Sequence, residues 1–242
     1  MNWLQLDPEN VARRARESFG AAKVPSAGKS VAIGVVGFTV LSVAGFLPWA
    51  AAGRWFYRNV GELGMYLACA LVFIGLSGPL LHRLIIGPGS LRKFYAVFAV
   101  SFTVYSALWI AGWMLVRGHP GSVVGLLAGT AAMGWILARA FDAKAQLWKT
   151  IAALFVLNSV GYFVGGVVEG HVIGLKEFAP FGTAVSKRTQ ALIAKSLWGV
   201  FYGLGFGAGL GLAFYFVQER TRAFLRGSLV EGQVENTTSG AK

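Results

Sequence analysis

Residues 196–218 read SLWGVFYGLGFGAGLGLAFYFVQ, a run with no Asp, Glu, Lys, Arg or His, bounded by Lys195 on one side and Glu219-Arg220 on the other. An α-helix crosses the roughly 30 Å hydrocarbon layer with about 20 apolar residues. This stretch is therefore long enough to span a membrane alone. Working upstream, five more charge-free runs appear at 30–53, 63–81, 94–116, 120–138 and 150–168. A soluble fold would have to hide six such segments in one modest core. The expected fold is all-α: a polytopic transmembrane helical bundle of six spans.

Composition agrees. The 242 residues are 55% hydrophobic and 13% charged, with 33 glycines, where soluble chains carry about 25% charged residues. Glycine does not argue against helix here, because it is commoner in transmembrane helices than in soluble ones. Tryptophans mark the ends of the runs: Trp49 and Trp55, Trp109 and Trp113, Trp135, Trp148 and Trp198. An indole favours the interface, where its ring meets lipid and its N–H meets a polar partner.

The basic residues set the expected orientation. Fifteen Lys and Arg fall on the side of the termini, in 1–29, 82–93, 139–149 and 219–242, against seven on the other. Positive residues stay inside, so both termini are expected in the cytoplasm (N-in/C-in). With a net charge of +12, the expected partner on that side is a bilayer with anionic headgroups rather than nucleic acid. The first 29 residues lack the apolar core of a cleavable signal. Together with the charge bias, this points to a bacterial inner membrane and a multi-pass protein.

The division expected is a cytoplasmic segment 1–29, a bundle over 30–218 with a long external loop at 169–195, and a tail over 219–242, basic at first and then disordered. Asp7-Pro8-Glu9 reads as a helix start, with Asp as cap and Pro in the first turn. Val11, Ala15 and Phe19 recur every four residues, which predicts a short amphipathic helix lying on the inner leaflet. Gly87-Pro-Gly-Ser90 reads as a turn whose serine caps the third span, and Val185–Lys195 as an outward extension of the sixth.

Function is less legible. Gly203, Gly207 and Gly211 share one face of the last span; Gly121, Gly125 and Gly129 repeat the device, and Gly161 and Gly165 add a pair. Such faces admit close backbone approach. They serve either the bundle's own packing or contact between protomers. The leading expectation is a non-enzymatic structural component that self-associates as a homo-oligomer, or joins a membrane-protein partner, through these faces. Asn158 at mid-span, with Tyr162, Tyr105, Ser106 and Thr130, supports a second expectation, a channel or facilitator for a small uncharged solute. No ionisable residue lies inside any run, which demotes ion-coupled pumping. Glu169 and His171 form a weak outer-face cluster, the basis of a lesser alternative, a membrane enzyme. No catalytic residue, metal ligand set or cofactor is expected. The single Cys69 precludes a cysteine cluster, and no span carries a histidine pair for haem. Ala27-Gly-Lys-Ser30 is not a phosphate loop, since Lys23 stands where its first glycine belongs. Asn236-Thr-Thr238 matches a glycosylation triplet, but in a tail expected inside the cell.

Overall fold

The structure, a computed structural model, describes residues 6, 8–19, 24–180 and 182–227; the side chains of Arg16, Ser18 and Phe19 are outside that description. So are the Asp7 cap, the disordered tail expected beyond 227 and its Asn236 triplet. The described residues form helices α1 (Pro8–Phe19), α2 (Ala27–Asn59), α3 (Gly61–Leu81), α4 (Ser90–Val116), α5 (Gly118–Ala140), α6 (Leu147–Gly174) and α7 (Lys187–Val217). Helices α2 to α7 are each long and apolar enough to cross a membrane. The chain is an integral membrane protein by that criterion.

The helices start and stop where local chemistry directs. Ser26 accepts the Lys29 N–H at 3.2 Å and opens α2, and Ser186 accepts the Thr189 N–H at 3.2 Å and opens α7. Each satisfies one of the N–H groups that a first helical turn leaves orphaned. Ser90 does not cap α4: Gly89, in the left-handed region at φ 69°, holds the cap position and Ser90 is already helical. Between α4 and α5 only Arg117 intervenes, at φ 56°, followed by Gly118 at φ 60°. On α3, Leu63, Leu67 and Leu71 are each more than 60% exposed along one stripe. Water would penalise such a stripe, whereas hydrocarbon does not.

Two kinds of packing hold the bundle. Helix α7 lies against α2 on one side and α6 on the other, and α4 lies against α5. These contacts run through glycine. A Cβ placed on Gly203 would stand 2.5 Å from the Thr39 Cα, and one on Gly211 would stand 2.5 Å from the Ser30 carbonyl oxygen. A Cβ on Gly161 would meet the Phe201 carbonyl at 2.6 Å, and one on Gly125 the Trp109 carbonyl at 2.8 Å. Helices this close gain dispersion contact that lipid cannot match. Between α4 and α7 the gap is instead filled by rings. Phe94, Phe98 and Phe102 stack in sequence at centroid spacings of 5.0 Å, Phe94 reaches Phe214 at 5.6 Å, and Tyr105 reaches Phe206 at 5.1 Å. The result is two glycine-zipped units, α2–α7–α6 and α4–α5, joined across an aromatic seam, with α3 alongside α2.

The bundle has a terminal end, with the 82–90 and 141–146 connections, and a distal end, with residues 60, 117 and 175–186. Helix α1 caps the terminal end. Its Val11, Ala12 and Ala15 are buried, packed around Leu225, Val24, Ile86 and Gly87. The apolar stripe is covered by apolar protein at the base of the bundle. The basic stretch at 220–226 is likewise partly engaged. Arg220 pairs with Asp142 at 3.2 Å, and Arg222 donates to the Tyr215 carbonyl oxygen with its guanidinium 3.5 Å over that ring. Burial lowers the Arg222 pKa from its ordinary value. At the distal end, Gln190 ties the loop down by donating to the Val172 and Leu175 carbonyls at 2.7 and 3.0 Å.

Candidate functional site

The aromatic seam is filled in the terminal half and hollow in the distal half. Phe38, Phe94, Phe98, Phe206 and Phe214 are fully buried in the terminal half, with Phe38 stacked on Phe206 at 4.5 Å. Toward the distal end the walls separate, leaving a cavity of about 340 Å³ lined from α2, α3, α4, α6 and α7. Its walls include Trp49, Trp109, Trp113, Trp198, Tyr66 and Tyr162, with the carboxylates of Glu62 and Glu169. A smaller pocket of about 80 Å³ shares Tyr66, Cys69, Trp109 and Trp198 with it and reaches down to Phe102, Tyr105, Ser106 and Tyr202. Tyr105 lies about 16 Å inside the Val116 end of α4 at 1.5 Å per residue. The recess thus reaches the middle of the bundle and stops on the phenylalanines.

A polar chain forms its floor. The Asn158 amide donates to the Tyr105 hydroxyl at 2.9 Å, and Tyr105 and Tyr202 share a hydrogen bond of 3.1 Å. All three side chains are buried. Tyr105 thus bridges the amide and the second hydroxyl, and either tyrosine oxygen can donate in that pair. Tyr105 and Tyr202 both line the lower pocket. The Asn158 Oδ1 and the Trp109 Nε1 are buried and have no hydrogen-bond partner among the described residues. A buried polar atom without a partner costs about 1–3 kcal/mol; of the two residues, Trp109 lines both pockets.

At the rim, the Lys195 ammonium sits 4.3 Å from the centroid of the Trp49 ring and donates to its carbonyl oxygen at 3.5 Å. Lys195 and Glu169 also interact electrostatically. Glu62 accepts from the Tyr66 hydroxyl at 2.7 Å, which fixes that ring on the wall.

The structure places the residues singled out in the sequence as follows. Asn158 and Tyr105 are joined directly, Ser106 lines the lower pocket, and Tyr162 lines the wall while sharing a 3.1 Å hydrogen bond with Ser122. Thr130 is apart: its hydroxyl turns back to the Leu126 carbonyl at 2.7 Å. Glu169 and His171 do not come together on the cavity, since Glu169 lines it and His171 is exposed. Two residues apart on a helix, they point to different sides. Among the described residues, no three of His, Cys, Asp and Glu gather at metal-ligand spacing.

The eight glycines are spent inside the chain. Gly203, Gly207 and Gly211 face α2, Gly121, Gly125 and Gly129 face α4, and Gly161 and Gly165 face α7. Sequence reasoning missed Tyr202, Glu62, Tyr66 and the cavity role of four tryptophans. Trp198, Tyr202, Phe206 and Phe214 recur at helical spacing on α7, as do Phe94, Phe98 and Phe102 on α4. That period was available as a signal of one aromatic face. Compared with protein families, curated proteins and solved structures, the chain matches none.

Proposed function

We propose that the protein is a membrane facilitator for small organic solutes that enter the distal cavity, here in a conformation closed toward the terminal end. The observation that carries this reading is the recess itself. It is predominantly aromatic, its main cavity lies within the 300–1,000 Å³ usual for ligand sites, and its smaller lower pocket reaches mid-bundle at Tyr105 and Tyr202, to which Asn158 is joined. The phenylalanines packed beneath that chain give the two-sided asymmetry that alternating exposure requires. Following the charge bias, the distal end faces away from the cytoplasm of a bacterial inner membrane.

The expectation of an assembly component working through its glycine faces draws less support, because those faces already hold α2, α6 and α7 together and α5 against α4. A partner would have to displace a helix to reach them. The outer-face enzyme also draws little, as Glu169 has no imidazole beside it.

The test is solute entry into proteoliposomes, followed by light scattering with a panel of small polyols, alcohols and amines. At least one is expected to cross faster than in empty vesicles. Asn158→Leu is expected to slow it while the protein still folds and inserts. If no solute in the panel crosses faster than in empty vesicles, the facilitator reading is wrong.

A further inference from the structure

The sequence expectation was an uncharged solute, because no ionisable residue lies within the six runs. The folded chain alters the premise. Glu62 immediately precedes the second run and Glu169 immediately follows the fifth, and the fold brings both onto the wall of one cavity, among aromatic residues. We infer that this cavity selects a small organic cation, an amine or quaternary ammonium. The inference rests on the reading of the recess as a solute site and narrows what that site takes.

Three observations carry it. First, the faces of Trp and Tyr rings are the negative ends of their quadrupoles, and a cation within about 6 Å of a ring centroid is attracted to them, most strongly where water is excluded. Second, the chain already uses one of these rings in this way, for the Lys195 ammonium rests 4.3 Å from the Trp49 centroid at the rim. Third, the charges on the lining are of one sign. Arg54, Arg58, Arg117, Lys176, Lys187 and Arg188 belong to the distal half but are exposed, and none of them lines the cavity, whose lining holds two carboxylates; Lys195 at the rim answers Glu169 and leaves Glu62 as the carboxylate with no basic side chain beside it on the lining. An anion would meet both carboxylates and the negative ring faces. A neutral solute would leave Glu62 without a counter-charge.

Calorimetry on the solubilised protein separates these cases, using a maltoside detergent whose headgroup carries no ammonium. The probes are choline and its neutral carbon isostere, 3,3-dimethylbutan-1-ol, which have nearly the same shape. Choline is expected to bind about tenfold more tightly, the factor that a cation–ring interaction of one to two kcal/mol supplies. Glu169→Gln and Glu62→Gln are each expected to reduce that preference while leaving the alcohol's affinity unchanged. Equal affinity for the two probes overturns cation selection and leaves the solute site standing. Binding of neither probe overturns both. Choline binding unaltered in both variants overturns the inference as well, since the cation is then held elsewhere. Should a variant fail to fold, the comparison of the two probes on the unaltered chain still decides.

Discussion

Asn158 is fully buried at mid-membrane, and its amide spends its hydrogen bond on a tyrosine hydroxyl rather than on backbone. Inside hydrocarbon a polar side chain must find protein partners. Tyr105 is that partner, and it passes the connection to Tyr202 on another helix. Tyr105→Phe removes one oxygen and changes little volume, but leaves the Asn158 amide without its acceptor. The expected cost is about 1–3 kcal/mol, the penalty of an orphaned buried donor, read as a lower melting temperature in one fixed detergent. A variant that melts with the parent would show that the chain of hydroxyls does not hold the floor. The position of Asn158 was legible in the sequence, because one amide in a long apolar run stands out. The onward link from Tyr105 was not, because Tyr202 lies 97 positions from Tyr105 and no local spacing links them.

At the scale of elements, the contrast lies between glycines that face a helix and glycines that face outward. Gly211 faces the Ser30 carbonyl oxygen and the Val31 Cα, where a Cβ would sit at 2.5 and 2.8 Å, whereas a Cβ on Gly166 would meet nothing within 4 Å. Gly211→Ala is expected to push α7 from α2 and to destabilise the protein by about 1–3 kcal/mol, as overpacking does. Gly166→Ala is expected to leave the melt unchanged or slightly raised, since Ala is the better helix former. Equal melts for the two variants would mean that α2 and α7 are not packed through this face. The glycine ladder could be read directly from 203–211, and the helical period assigned its faces. Which helix it meets could not, since the partner positions Gly34 and Ser30 lie far back in α2. The same holds for α1: its apolar stripe was visible, but whether lipid or protein covers it depends on the base of the folded bundle.

For the whole molecule, six spans followed from six charge-free runs, because length and hydrophobicity alone decide what crosses a bilayer. The cavity did not follow, and its tryptophans show why. Trp55, Trp135 and Trp148 are exposed, as a lipid belt requires, while Trp49, Trp109, Trp113 and Trp198 sit at similar depths but turn inward. Depth is encoded in one dimension and direction is not, so all seven read alike until the helices are assembled. Once they are, the glycine-zipped pairs set the helices close, the rings fill the seam in the terminal half, and the distal half stays hollow.

Cys69 is the chain's single cysteine and lines both the main cavity and the lower pocket, which makes it a natural reporter of the side to which that hollow opens. The most direct measurement is its reaction with a small membrane-impermeant methanethiosulfonate, applied separately to each face of vesicles with known protein orientation. The structure predicts modification from the distal side and protection from the terminal side, where the phenylalanines intervene. Modification from the terminal side, or from neither, would contradict a distal cavity that opens to solvent and closes at mid-membrane.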